Sequence, residues 1–182
     1  MTREEALDLL RQHLKNKNLV KHCLAVEACM RGLAGRLGHD PGPWGLAGIL
    51  HDLDYEVTEK SPERHTEETV KILREKGLEE PVIHAVQAHA GKVPCESSMD
   101  WAIYSVDPLT GLIIAATLMH PEKKIGSIDL EFVKRRYKEK SFAKGARREE
   151  IEQSRNLGLE LDEFLSIAIA AMQGIAADLG LA

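Results

Sequence analysis

The chain has 182 residues, 43% of them hydrophobic and only 4% aromatic, with a formal net charge of -5. That length buries one good core, so one domain over residues 1–182 is predicted, and the bias to Leu, Ala, Ile, Glu, Lys and Arg favours helices over sheets. The negative balance argues against a nucleic-acid or anionic-membrane partner. Cys23, Cys29 and Cys95 lack CxxC spacing and indicate neither a disulfide framework nor a zinc knuckle. The charged start, Met1-Thr2-Arg3-Glu4-Glu5, has no signal-peptide core behind it, so a cytoplasmic chain is expected. The longest apolar stretch, Leu109 to Met119, is broken by Thr and Gly, is too short to span a bilayer and is expected to be a core helix.

Thr2-x-x-Glu5 reads as a capping box for a first helix reaching about Lys15. Asn16-Lys17-Asn18 breaks the pattern, and a second helix runs from about Leu19 to Gly38, carrying His22 in its first two turns. Pro43 opens a third helix to about Leu53, with His51 and Asp52 in its last turn. Ser61-Pro62 predicts a helix continuing to Gly77 with His65 in its first turn, and Pro81 opens another that ends at His89 before Gly91. Ser97-Ser98 caps a long helix stopped by Pro121. Asp107 lies in its apolar middle and needs a partner there. Ser127 is expected to cap a helix from Leu130 to about Lys138, Glu149 to Leu157 resumes helical pattern, and Leu161 to Leu179 forms an apolar last helix read as core. The expected fold is all-α, with seven to nine helices in one bundle: a core over about 19–118, and helices from 128–182 packed on it.

His51-Asp52 closes the apolar run Trp44 to Leu50, flanked at a distance by His22 and Asp107. Neutral imidazoles and carboxylates make a borderline-hard ligand set that suits Mn, Fe, Co, Ni or Mg better than the thiolate cages of structural zinc. Neighbours on a helix point about 100° apart, so His51 and Asp52 share a direction only where the helix ends. Metal-assisted hydrolysis is the expected chemistry.

The order His22, His51-Asp52, Asp107 resembles the HD superfamily of metal-dependent phosphohydrolases, whose ligands occur as H, HD and D on separate helices of a helical core. The resemblance spans about Leu19 to Leu118. With His51-Asp52-Leu53-Asp54-Tyr55-Glu56 and Asp107-Pro108-Leu109-Thr110-Gly111 it extends to a bacterial HD-hydrolase branch. It implies a bundle with one divalent ion in its core, and His65 and His89 resemble the extra ligands of dinuclear members, His89 being favoured over His84. Asp52 would then bridge two ions about 3.5 to 4 Å apart. Many dinuclear members carry a His-His pair where this chain has Ala88-His89-Ala90. Asp52 and His65 are the expected catalytic groups, His65 serving as the acid if it is not a ligand; Asp54 and Glu56 could take that role but read equally as exposed loop carboxylates or as hydrogen-bond partners of ligand imidazoles, and neither is assigned as catalytic. His13, His39 and His120 are read as surface histidines.

A phosphate substrate needs cations. Lys92 follows His89, and the stretch from Lys138 to Arg148 concentrates five. It resembles a recurrent segment of the same branch, matching at Lys140, Ser141, Phe142, Gly145 and Arg148. Lys92, Lys140, Lys144 and Arg148 are the expected phosphate contacts, arginine suiting bidentate binding. The expected function is a phosphohydrolase acting on a phosphomonoester or small nucleotide. A di-iron oxygenase of the HD type and a non-catalytic nucleotide or metabolite binder are the alternatives. Oligomeric state is not legible.

Overall fold

A computed structural model describes residues 1–182, and five of its helices, the first three among them, begin where a side chain satisfies an orphan backbone N–H group. Thr2 accepts from the Glu5 N–H at 3.2 Å and the Glu5 carboxylate accepts from the Thr2 N–H at 2.7 Å, starting α1, Arg3–His13. Asn16 is a cap rather than a breaker: its side chain accepts from the Asn18 N–H, so α2 spans Lys17–Leu37 and begins two residues before Leu19. Gly38 ends it at φ 77, a left-handed conformation that glycine adopts without strain. Asp40 caps α3, which therefore starts at Pro41 instead of Pro43 and runs Pro41–Leu50.

The next forty residues depart most from expectation. α3 stops three residues before Leu53, leaving Asp52, Leu53 and Asp54 in turns, and an unforeseen single-turn helix, α4, follows at Tyr55–Thr58. The continuous helix expected from Ser61 to Gly77 is split into a 3-10 turn, Pro62–Arg64, and α5, Glu67–Glu75. His65 lies at the break, beside Thr66 at φ 75. α6, Glu80–His89, and α7, Ser98–Met119, follow as expected, α7 starting from a Ser97/Asp100 capping box.

A 3-10 turn at Ile125–Ser127 precedes α8, Leu130–Lys138, whose cap is Asp129, not Ser127. α9, Arg148–Ile151, gives way to a 3-10 segment, Glu152–Leu157. The apolar last helix is interrupted at Ile175 into α10, Leu161–Gly174, and α11, Ala176–Leu179. The fold is all-α, with no strand; eight helices have nine residues or more and three are single turns.

α2 organises the packing. Val26, Met30 and Leu33 join Ile103, Leu109 and Ile113 of α7 and Phe164, Leu165 and Met172 of α10 in the larger core. Cys23 joins a smaller one with Leu9 and Leu10 of α1, Ile49 and Leu50 of α3, and Ile83 and Val86 of α6. α3 lies very close to α2, because a Cβ at Gly48 would sit 2.8 Å from the Glu27 Cα. Glu27 itself is buried and takes Arg3 at 2.7 Å and Arg31 at 2.9 Å, joining α1 and α2. α7 is long and apolar enough to cross a membrane by length and composition, and here Ala102, Ile103, Val106, Leu109 and Ile113 place its apolar side in the larger core.

Candidate metal centre

Five elements deliver six side chains to one cleft. α2 presents His22, the end of α3 supplies His51 and Asp52, the break before α5 supplies His65, the last residue of α6 is His89, and the middle of α7 holds Asp107. Because α3 ends at Leu50, His51 and Asp52 leave the helix together and both turn inward. Pro108 lacks an N–H and so removes one helical hydrogen bond from α7 beside Asp107.

The Asp52 carboxylate sits at the centre. Its Oδ2 lies 3.4 Å from His51 Nε2 and 3.8 Å from His22 Nε2, while its Oδ1 lies 3.3 Å from His65 Nε2 and 3.5 Å from His89 Nε2. Asp107 Oδ1 closes the first half at 2.9 Å from His22 Nε2. Within each half two Nε2 atoms face one another, at 3.3 Å for His22 and His51 and 3.1 Å for His65 and His89. Two sets, His22 with His51 and Asp107, and His51 with Asp52 and His89, bring ligand atoms within 4.8 Å of one another, a spacing at which a metal ion can be held.

Each of the four histidines has an acceptor behind its other ring nitrogen. His51 Nδ1–H donates to the Gly48 carbonyl at 2.8 Å, and His89 Nδ1–H donates to the Val86 carbonyl. His65 Nδ1–H donates to Asp54 Oδ1 at 2.8 Å, and His22 Nδ1–H to the Thr110 hydroxyl at 3.2 Å, which itself donates to the Asp107 carbonyl. Anchoring Nδ1–H in this way leaves the Nε2 lone pair aimed at the cleft, as a metal ligand requires. Asp54 also accepts from the Thr66 and Thr69 N–H groups, 3.2 and 3.1 Å away, and so holds the left-handed Thr66 and the His65 ring together.

Burial and charge act against each other here. Burial lowers the His51 pKa to about 4 despite the adjacent Asp52, so its ring is neutral and free to coordinate. Burial also disfavours the charged form of His65, yet hydrogen bonds to Asp52 and Asp54 outweigh it and raise its pKa to about 9. His22 is raised too, burial being overcome by Asp107. Burial favours the neutral form of Asp52 and Asp107, but the surrounding histidines hold both carboxyls below their ordinary value. The cluster therefore concentrates two carboxylates and four imidazoles in one place, with the His51 ring neutral and the proton on His65 in competition with any bound cation.

The cleft above it has a volume of about 620 Å³ and is lined also by Tyr55 and Pro62 and by Ala143, Gly145, Ala146, Arg147 and Glu150. Of the six cluster residues, all but the buried His51 line this cleft. The basic segment reaches it through Arg147, which sequence reasoning left unselected among five clustered cations. Arg148 instead threads its guanidinium into the loop before it, donating to the carbonyls of Tyr137, Ala143, Ala146 and Phe142 at 2.6–3.1 Å. It is fully engaged and lines a neighbouring cleft with Lys140 and Lys144. Lys92 donates to the Pro62 and Glu63 carbonyls and so ties down the 3-10 turn.

His84 bonds Asp100 at 3.1 Å, away from the cluster. Glu56 accepts from the Lys15 and Asn16 N–H groups, bracing the start of α2. His13 and His39 are exposed, whereas His120 is half-buried against Phe132. Thr110 was missed as an orienting group; its signal is its place one turn beyond Asp107 on the same helix.

Residues 19–153 match the HD domain model, about three quarters of the chain. The curated relatives include Ribonuclease Y of Alkaliphilus metalliredigens, 30% identical over 136 residues, covering 73% of this chain and 29% of that protein. Ribonuclease Y of Oleidesulfovibrio alaskensis is 27% identical over 96 residues, covering 53% of this chain and 18% of that protein, and Ribonuclease Y 2 of Levilactobacillus brevis is 27% identical over 95 residues. The chain thus spans less than a third of the length of these relatives. No solved structure matches it. The family match, the helical fold and the His and Asp cluster agree, and the chain belongs to the HD domain family, a superfamily of metal-dependent phosphohydrolases.

Proposed function

We propose that this chain hydrolyses a phosphate ester, a phosphomonoester or small nucleotide, at a centre held by His22, His51, Asp52 and Asp107, with His65 and His89 completing a second half. The observation that carries the reading is the common orientation of four imidazoles, each with Nδ1–H anchored and Nε2 directed at Asp52 or its partner Asp107. One isolated buried histidine satisfies a core; four converging rings with two carboxylates form a ligand set. The division of the Asp52 oxygens between two histidine pairs favours two ions over one.

A divalent ion at such a site supplies Lewis acidity and lowers the pKa of a bound water towards neutrality. The chain's own residues do the rest. Asp52 would be a ligand to the metal, Asp54 fixes the His65 ring, and Thr110 fixes the His22 ring. Arg147 offers the wall of the cleft its cation, in reach of a phosphoryl oxygen once it exchanges its Glu150 partner for substrate. The volume of the cleft is that of a small-ligand pocket. Similarity to proteins named Ribonuclease Y favours a second substrate, a phosphodiester in RNA.

The test is metal analysis of protein purified without chelator, followed by a phosphate-release screen and short-RNA cleavage with Mn, Co, Fe, Ni or Mg, using Asp52→Ala as control. Bound divalent ions and turnover lost in the variant support the hydrolase. Two irons with oxygen-dependent consumption of a substrate point to the oxygenase alternative instead, and tight nucleotide binding without turnover under every metal points to a binder.

A further inference from the structure

Beside the metal cleft lies a second one, of about 500 Å³, whose lining holds Lys138, Lys140, Lys144, Arg147 and Arg148 against two carboxylates, Glu149 and the Glu152 that accepts from the Tyr137 hydroxyl. The two share Ala146 and Arg147, so they adjoin along that ridge. On a chain of net charge -5 this is a local basic trough, and its cations differ in availability. Arg136 is paired with Glu139 and Arg147 with Glu150, and Arg148 is spent on backbone carbonyls. Lys138, Lys140 and Lys144 are exposed and stand in no ion pair.

The loop that carries Lys140 and Lys144 is preorganised despite having no regular secondary structure. The Arg148 guanidinium ties together carbonyls from Arg136 to Ala146, and Ala143 is held at φ 45. Strained backbone of this kind persists only where its surroundings fix it. Lys140 and Lys144 are therefore presented from a fixed frame beside the cleft, which reduces the ordering cost of binding an anion.

We infer that the trough at Lys140 and Lys144 is a second anion subsite, and that the substrate carries a further phosphate reaching over the Arg147 ridge from the one at the metal centre. The inference rests on the proposed phosphohydrolase reading and deepens it: a substrate with one phosphate fills half of the binding surface. The further phosphate belongs either to a phosphoanhydride chain or to a second nucleotide joined by a phosphodiester.

Calorimetric titration of the manganese-loaded chain with thymidine 5′-monophosphate, thymidine 5′-diphosphate and the 5′-phosphorylated thymidine di- and trinucleotides tests this. The wild type, a Lys140→Ala/Lys144→Ala double variant and Asp52→Ala are compared. The expected result is at least about tenfold tighter binding of a probe with more than one phosphate, the size of one charge-assisted contact. That gain disappears in the double variant, whose monophosphate affinity stays within about twofold of wild type. A gain for the diphosphate identifies an anhydride chain, and a gain for the oligonucleotides identifies a phosphodiester. Equal affinity for all probes, or a gain that survives the double substitution, overturns the subsite. Asp52→Ala separates the two readings: if it binds the monophosphate as wild type does, the metal-centre reading fails, while a lysine-dependent gain is still measured on its own.

Discussion

Both oxygens of Asp52 are committed, Oδ2 towards His51 and His22 and Oδ1 towards His65 and His89. Asp52→Asn keeps the shape but removes the charge that balances a cation, so it is expected to lose bound metal and to lower turnover at least about a hundredfold. Metal counting and initial rates measure both. The orienting groups are a finer test. Thr110→Val removes the hydroxyl behind His22 Nδ1, and loss of such a partner costs roughly 10–100-fold in metal affinity or activity; titration with a competing chelator reads it. Protons compete with the ion at the same Nε2 atoms. Since His65 is raised to about 9, ion affinity at the His65–His89 half is expected to tighten as pH rises from 6 to 9, about tenfold per unit for one displaced proton. With chelator present the sign reverses for stability. A pKa raised on folding contributes stability that is complete below about 6.5 and lost as pH rises through about 9, so Asp54→Asn should flatten that decline in denaturant titrations.

Gly48 couples the packing of two helices to the site. Its missing Cβ lets α3 approach the Glu27 backbone, and its carbonyl receives the His51 ring. Gly48→Ala is expected to destabilise the chain by about 1–3 kcal/mol through overpacking and to displace His51, so both melting temperature and metal affinity fall. Caps were the legible part of this architecture: Thr2, Ser97 and Gly38 mark boundaries that propensity alone leaves open. The breaks were less legible because their causes are tertiary. The pattern from Ser61 to Gly77 is helical throughout, and it is the buried Asp54 carboxylate, collecting the Thr66 and Thr69 N–H groups, that interrupts it at His65. The six residues of the cluster could be chosen from the chain by their resemblance to a family. Asp54 was already open to a role beside a ligand imidazole, and Thr110 lies one helical turn beyond Asp107 on α7, whereas Arg147 rather than Arg148 in the cleft depends on turns that no periodicity encodes.

At the scale of the whole molecule, the ligands come from α2, the residues just past α3, the break before α5, the end of α6 and the middle of α7, and the larger core continues from α2 and α7 into α10. A ligand held by this many elements binds the folded chain and not the unfolded one. Its contribution is about 2.7 kcal/mol when free ion is a hundredfold above Kd, and a chain of this length shifts by roughly 2–4 °C per kcal/mol. Chelator is therefore expected to lower the melting temperature by about 5–11 °C, and Asp52→Ala to abolish the difference. Because α10 sits directly on α2, with Cys29 Sγ 3.7 Å from the Ala168 carbonyl, residues 1–182 are expected to unfold in a single transition in either state. Calorimetry with and without chelator checks both points. Two separated transitions, only one of them metal-sensitive, would instead mean that the C-terminal helices form their own unit and that Arg147 is brought to the cleft by docking rather than by the common core.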